Sequence, residues 1–210
     1  FSKSPLAQKV EKTSGLDRRA PWITSQVLGS PDPPAPYTVE PAFPQLTINR
    51  PLVVTNAPGT ERLFVAEQDG KIYSFENDAN TDRLDLVVDL KQKHPDLNAV
   101  YGLTFHPKFE RNRFVYVCYV GKGNQPDGTK IVRFTMKNGD LPQIDEESEK
   151  LIITWLSSGH NGGCLKFGPD GFLYVGTGDS SGINDEGLNG QNITSLSGAI
   201  LRIDVDHTDG

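Results

Sequence analysis

One short phrase recurs along this sequence and limits the possible folds more than any other feature. It consists of an apolar run, a turn rich in proline or glycine, and further apolar runs in which residue types alternate. The phrase occurs at residues 46–75, 101–136 and 162–206. Because the runs are short, rich in β-branched and aromatic residues, and separated by Gly, Asp, Asn and Pro, they predict antiparallel strands and an all-β fold.

The repeat favours a β-propeller in which each unit forms one blade. Antiparallel units of about 40 to 50 residues are typical of propeller blades. A β-sandwich is the alternative, but a sandwich does not require the same proline-turn-strand phrase to recur. Propellers close with about 4 to 8 blades, so three units predict a chain that is part of a longer ring, with roughly half of the fold absent.

The first 42 residues differ from the repeats in composition. The segment Gly29–Tyr37 is too rich in proline for a packed strand and is expected to be extended. We interpret residues 1–42 as a linker or an arm on the domain surface, with Trp22 as a candidate anchor. Residues 43–210 form the predicted partial propeller.

Charge and composition exclude several classes of function. The chain of 210 residues has a net charge of −6 and lacks the basic character of a nucleic-acid-binding protein. No run of about 18 apolar residues is present, so no membrane span is predicted, and no signal peptide is visible. Cys118 and Cys164 lie in apolar runs and are interpreted as buried free thiols; a disulfide between neighbouring strands is the alternative.

The densest polar feature covers residues 159–179, where glycine-rich segments flank a predicted hairpin with a turn at Pro169–Gly171. Pairing of its strands brings His160 and Asp179 to the same edge. A histidine held by a carboxylate is suited to act as a general base, because the carboxylate fixes the tautomer and stabilises the imidazolium. Without further context, a histidine near a turn is more often structural, and Asp179 also fits the role of a turn cap.

Other polar features carry less information. His106 precedes a proline and is interpreted as a turn residue, while His94 and His207 lack surroundings comparable to those of His160. The acidic stretch Asp145–Glu149 is expected to be a solvated loop. Residues Asn192–Thr194 fit a glycosylation sequon, but short sequons often arise by chance.

Three motifs in the repeats resemble the family of PQQ-dependent soluble glucose, aldose sugar and sorbosone dehydrogenases. The most specific is H-x-x-G-x-L-x-F-G-P-D-G-x-L-Y-V-x-x-G-D, which spans residues 160–179. Residues 98–119 and 189–206 resemble two further family segments, and all three stand in the family's order. The resemblance covers about residues 43–206 and implies a six-bladed β-propeller, of which about three blades are present.

The resemblance also implies a chemistry. His160 matches the family's catalytic base and Asp179 the acidic residue that supports it, while Asn161 and Gly162 are candidate cofactor-binding residues; Asn161 fits the role of a turn-shaping residue equally well. The implied cofactors are PQQ and calcium, with the calcium ligands mostly later in the family's chain. The implied protein is periplasmic or secreted, oxidises a sugar or related alcohol, and passes electrons to an acceptor such as a cytochrome.

Two departures from the family pattern keep other functions open. The position before the matching histidine is acidic in the glucose enzymes and is Gly159 here, and a glutamine near the sugar falls on or beside Leu97. These departures disfavour glucose as the substrate, and they motivate an alternative, a non-catalytic extracellular binding propeller. A calcium-dependent lactonase is disfavoured, because no suitable ring of Glu, Asn and Asp is evident. The isolated chain is expected to be inactive.

Overall fold

The computed structural model describes residues 38–207. The predicted arm over residues 1–42 and its candidate anchor Trp22 lie almost entirely outside the described residues, so this domain division stays a prediction. Residues 42–207 belong to one compact unit.

The described part of this unit is built from three antiparallel sheets, as the recurring phrase predicts. The first sheet contains β1 (Pro51–Asn56), β2 (Arg62–Glu67), β3 (Lys71–Glu76) and β4 (Asp85–Asp89). The second contains β5 (Leu97–Phe105), β6 (Phe114–Gly121), β7 (Gln125–Met136) and β8 (Ile144–Ser157). The third contains β9 (Gly162–Phe167), β10 (Leu173–Thr177) and β11 (Ile200–Ile203).

Each sheet is a meander, because strands that follow one another along the chain are also neighbours in the sheet. Two one-turn helices, α1 (Leu90–Lys93) and α2 (Phe109–Asn112), interrupt the strands of the described chain. Neither has the length or the apolar run that a membrane-crossing helix needs. The expected all-β class is therefore confirmed, and the local turn signals mark its hairpins correctly.

The outer strand β8 includes the stretch Asp145–Glu149, for which the sequence predicts a solvated loop. Asp145 pairs with Thr135 on β7, and Lys150 pairs with Arg133. The hydroxyl of Ser148 donates to the main-chain oxygen of Asp145 at 2.5 Å and accepts from the Thr135 amide at 2.7 Å. Asp145 is therefore joined to the sheet, whereas residues 146–149 form a bulge without register partners on β7.

The sheets pack face to face through two buried clusters. One joins the first and second sheets, where the rings of Phe64 and Phe105 lie 4.6 Å apart. The other joins the second and third sheets, where Tyr116 and Phe167 lie 5.4 Å apart. A Cβ at Gly102 on β5 would lie only 2.1 Å from a main-chain oxygen of β9. The second and third sheets therefore approach so closely that only glycine fits there.

The two cysteines differ, although both occupy apolar runs. Both are free thiols. Cys118 is fully buried on β6, and burial raises the pKa of its thiol to about 12. Cys164 is exposed, so its expected burial is wrong. On β9, Gly163 and Leu165 face the second sheet, and the alternation of a strand turns Cys164 away from it.

Candidate active site

The β9–β10 hairpin positions the candidate site. In its register, Gly176 pairs with Cys164 and Thr177 with Gly162, so the residues just outside these pairs meet at one edge of the sheet. The opposite end is closed by the expected turn, where the Gly171 amide donates to the Gly168 oxygen at 3.0 Å. The local sequence therefore brings the beginning and the end of the hairpin together.

His160 and Asp179 meet at this edge, as the sequence predicts. His160 Nδ1 lies 3.1 Å from Asp179 Oδ1. The backbone fixes the pair, because the His160 amide donates to the Ser181 oxygen at 3.0 Å and the Ser180 amide donates to the His160 oxygen at 2.8 Å. These two backbone hydrogen bonds join the segments that carry His160 and Asp179 without any side-chain contact.

The protonation state of Asp179 follows from its partners. The Ser181 amide donates to Asp179 Oδ1 at 3.1 Å. The hydrogen bond from the Ser181 amide, followed by the interaction with His160, lowers the pKa of Asp179 below its usual value. The carboxylate is therefore ionised at neutral pH and suited to accept the Nδ1 proton of His160.

The imidazole of His160 is open to an incoming group. Its side chain is 63% exposed, compared with 22% for Asp179. Within the described residues, Nε2 of His160 makes no hydrogen bond, since Nδ1 is the atom that faces the carboxylate. With the proton on Nδ1, the lone pair of Nε2 points to solvent, which is the arrangement that a general base requires.

A carboxylate partner does not by itself distinguish His160, and the expectation that the other histidines lack such surroundings is wrong. Each of the other three lies near a carboxylate: His94 with Glu149 at 2.9 Å, His106 with Asp206 at 3.0 Å, and His207 with Asp204 at 2.8 Å.

The buried case, His106, has a structural role. It is 1% exposed, and its Nδ1 lies 3.0 Å from the Lys108 amide and 2.8 Å from Asn112 Nδ2. Neither nitrogen of this ring is open to a ligand, because Nε2 faces Asp206. His160 differs because it is exposed and held at two adjoining strand ends.

The side chain of Asn161, a candidate cofactor-binding residue, points into the protein. It is 5% exposed. Its Oδ1 accepts from the Ser158 amide at 2.8 Å and from the Thr129 hydroxyl at 3.4 Å. Its Nδ2 donates to the main-chain oxygens of Ser158 and Gly159 at 3.0 and 3.2 Å. All of its hydrogen-bonding capacity is used, with three bonds that shape the turn that presents His160 and one that ties it to β7.

Gly162, the other candidate, lies at a close contact between strands. Its φ is +69°, and a Cβ there would lie 2.3 Å from the Gly178 nitrogen. Glycine is therefore needed where the two segments that carry His160 and Asp179 approach each other most closely. Whether Asn161 or Gly162 contacts a cofactor stays a prediction.

The two departures from the dehydrogenase pattern have structural reasons. A Cβ at Gly159 would lie 2.0 Å from the main-chain oxygen of Ser181, so this loop conformation has no room for an acidic side chain. Leu97 is 1% exposed and belongs to the core between the first two sheets. Gly159 and Leu97 themselves present no polar group, whereas Asn98 beside Leu97 is polar and exposed.

Residues from distant parts of the chain complete the support of the site. Asn189 donates from Nδ2 to the main-chain oxygen of Asp179 at 2.8 Å. The hydroxyls of Ser180 and Ser197 lie 2.9 Å apart, and Ser180 also donates to the Leu156 oxygen at 3.0 Å. Sequence reasoning missed these residues, because no local spacing signals a contact between the turn and the long segment that follows β10.

The described residues fit one part of quinone-dependent chemistry. The His160–Asp179 pair supplies a base with an open nitrogen, which fits the removal of a hydroxyl proton. In the range 38–207, no Lys or Arg forms an ion pair with Asp179. The same range contains no convergent group of three or more His, Cys, Asp or Glu side chains suited to a metal. The fit of the described residues therefore extends to proton transfer.

The three antiparallel meanders match a β-propeller-like dehydrogenase fold. The model of the Glucose / Sorbosone dehydrogenase family matches residues 48–209. The chain belongs to this family.

The relatives of this chain include a protein named for an interaction and a protein named as a dehydrogenase. The chain is 30% identical over 166 residues to Hedgehog-interacting protein of Mus musculus, covering 73% of the chain and 24% of that protein. It is 27% identical over 131 residues to quinoprotein glucose dehydrogenase B of Acinetobacter calcoaceticus, covering 52% of the chain and 27% of that enzyme.

Among solved structures, the chain resembles the PQQ-bound aldose sugar dehydrogenase of Streptomyces coelicolor. The TM-score is 0.57 and the sequence identity 27%, over 75% of this chain and 45% of that one. The chain thus spans about a quarter of the length of these curated relatives and less than half of this solved structure.

Proposed function

We propose that this chain contributes about three blades and the general base of a six-bladed quinoprotein that oxidises a sugar or a related alcohol. The observation that carries the proposal is the His160–Asp179 pair, joined at 3.1 Å at a strand edge with Nε2 of the histidine open. Membership of the Glucose / Sorbosone dehydrogenase family and the likeness to a PQQ-bound aldose sugar dehydrogenase support it.

His160 and Asp179 have distinct roles in this reaction. Asp179 accepts the hydrogen bond from Nδ1 and keeps the proton on that nitrogen, so that Nε2 is the basic atom. Nε2 then accepts the proton of the substrate hydroxyl. The ionised carboxylate stabilises the positive charge that develops on the imidazole. When bound, PQQ supplies the acceptor for the hydride that leaves the substrate carbon.

Asn161 and Gly162 stabilise the turn that positions the base, His160. Asn161 holds the turn through three hydrogen bonds and makes a fourth with Thr129 on β7, and Gly162 lets the two segments approach closely. The apolar environment at Leu97 and the absence of an acidic side chain at Gly159 favour another aldose or a different alcohol over glucose itself. Calcium as second cofactor, a cytochrome as electron acceptor and a periplasmic or secreted location complete the proposal, and family resemblance alone supports these three.

A second candidate is a non-catalytic extracellular binding propeller. The observation that favours it is the 30% identity to Hedgehog-interacting protein, a relative named for an interaction and not for a reaction. The lack of polar side chains at Gly159 and Leu97 agrees with it. In this case the His160–Asp179 pair would only stabilise the hairpin edge.

The experiment that separates the two candidates uses the complete protein supplied with PQQ and calcium. Reduction of an artificial electron acceptor is measured with a panel of aldoses and other alcohols. We expect turnover that falls about 10²- to 10⁴-fold in a His160→Ala variant, the usual range for loss of a general base.

The matched control is His207→Ala, which removes an exposed histidine that also faces a carboxylate and which should leave turnover unchanged. Full activity of His160→Ala would refute the assignment of the base. A wild-type protein that neither turns over nor changes the absorbance of added PQQ would favour the binding propeller.

A further inference from the structure

The segment between β10 and β11 carries the sequon Asn192-Ile193-Thr194 at its surface. Asn192, Ile193 and Thr194 are all exposed, and Ile193 is 99% exposed. No other Asn-x-Ser or Asn-x-Thr triplet occurs in the 210 residues. The triplet is therefore unique in this sequence and accessible to an enzyme that must take hold of the chain on both sides of the asparagine.

The side chains of the sequon are already arranged for modification. Asn192 Oδ1 accepts from the Thr194 amide at 3.0 Å and from the Thr194 hydroxyl at 2.7 Å. Both bonds draw electron density to the carbonyl oxygen of the side-chain amide and make its N–H groups more acidic. Within the described residues, Asn192 Nδ2 donates no hydrogen bond, so the nitrogen that would react is free.

The turn around the sequon is held from within. The Asn192 amide donates to the Asn189 oxygen at 3.0 Å, and the Ser195 amide donates to the Asn192 oxygen at 3.1 Å. A chance sequon inside a strand or a core would offer neither this turn nor this exposure. The position on a surface turn is the structural context that the motif requires.

We propose that Asn192 is a site of N-linked glycosylation. Nδ2 forms a bond to C1 of the first sugar of a lipid-diphosphate-linked oligosaccharide. The bond between C1 and the phosphate oxygen breaks, the lipid diphosphate leaves, and Nδ2 gives up one proton; no electrons are exchanged with an oxidant or a reductant. The modification is independent of whether the protein is an enzyme or a binding propeller.

A glycan at this position would have a local consequence. Ile183 and Leu188 in the same segment are 72% and 77% exposed, and with Ile193 they leave apolar side chains in solvent. A polar glycan on Asn192 shields such side chains from contact with other molecules. Asn189, three residues earlier, holds the main-chain oxygen of Asp179, so the glycan would extend from the segment that supports the candidate site.

The test is expression of the complete protein in secretory eukaryotic cells, followed by peptide mapping of residue 192 with and without an amidase that removes N-linked glycans. We expect the peptide to carry a glycan and the protein to lose one glycan's mass in Asn192→Gln. Thr194→Val, which removes the hydroxyl at nearly constant shape, should also lose it, whereas Thr194→Ser should keep it.

The control is Asn138→Gln, which changes an exposed asparagine outside any sequon and should not alter the mass shift. An unmodified residue 192 in folded, secreted wild-type protein would overturn the proposal. Unchanged glycosylation of Thr194→Val would overturn the role given to the hydroxyl contact.

Discussion

Substitution of Gly162 by alanine tests how the hairpin holds the candidate site. Gly162 has a φ of +69°, and a Cβ there would lie 2.3 Å from the Gly178 nitrogen and 2.6 Å from the Thr177 carbonyl carbon. A left-handed conformation costs an alanine about 1–2 kcal/mol. Overpacking against atoms that cannot rotate away costs about 1–3 kcal/mol more. We therefore expect Gly162→Ala to lower the free energy of unfolding by about 2–5 kcal/mol, measured by urea denaturation.

Gly171 in the turn of the same hairpin provides the matched control. Its φ is +83°, but a Cβ there would meet nothing within 4 Å. Gly171→Ala therefore carries the conformational cost of about 1–2 kcal/mol without the steric one. In Gly162→Ala the bond from the Gly178 amide to the Asn161 oxygen, now 3.1 Å, should also weaken and shift the His160 imidazole resonances in NMR spectra. Equal destabilisation by the two substitutions would refute the close contact between Gly162 and the backbone of Thr177 and Gly178.

Three further predictions concern the rest of the domain. In the native chain a thiol reagent should label Cys164 quickly and Cys118 only on unfolding, because only Cys164 is exposed; rapid labelling of two thiols would contradict this. Burial lowers the pKa of His106 despite the nearby Asp206. Protonation of His106 therefore favours the unfolded chain, and the urea midpoint should fall as the pH drops below about 6.5. His106→Asn should reduce this pH dependence. A wild-type midpoint that does not change with pH would contradict the prediction. Phe64→Ala, at 1% exposure, should cost about 3–5 kcal/mol of unfolding free energy; a loss below about 1 kcal/mol would contradict its place in the core.

Much of the candidate site could be predicted from local sequence. The turn Pro169–Gly171 and the strands on either side of it determine that the hairpin closes, and closure brings His160 next to Asp179. These are short-range effects of backbone conformation and strand alternation. The turn-shaping role of Asn161 was one of the two that the sequence offered, and three of its four hydrogen bonds go to the nearby Ser158 and Gly159. The role of Asn189 could not be predicted in the same way, because it depends on a contact with Asp179, ten residues earlier.

The recurring phrase of apolar runs and turns determined by itself that the chain forms antiparallel meanders, since strand propensity and turn chemistry act over a few residues. Which face of each strand is buried was decided only when the sheets packed. Cys118 and Cys164 have similar neighbours in sequence, yet one is buried and the other exposed. The acidic start of β8 joins β7 through Asp145 and the Ser148 hydroxyl, and the residues between Asp145 and Lys150 bulge out of the ladder. Asn161 also accepts a hydrogen bond from Thr129, 32 residues earlier. The free energy of such contacts depends on segments far apart in the chain, and so it leaves no pattern in the local sequence.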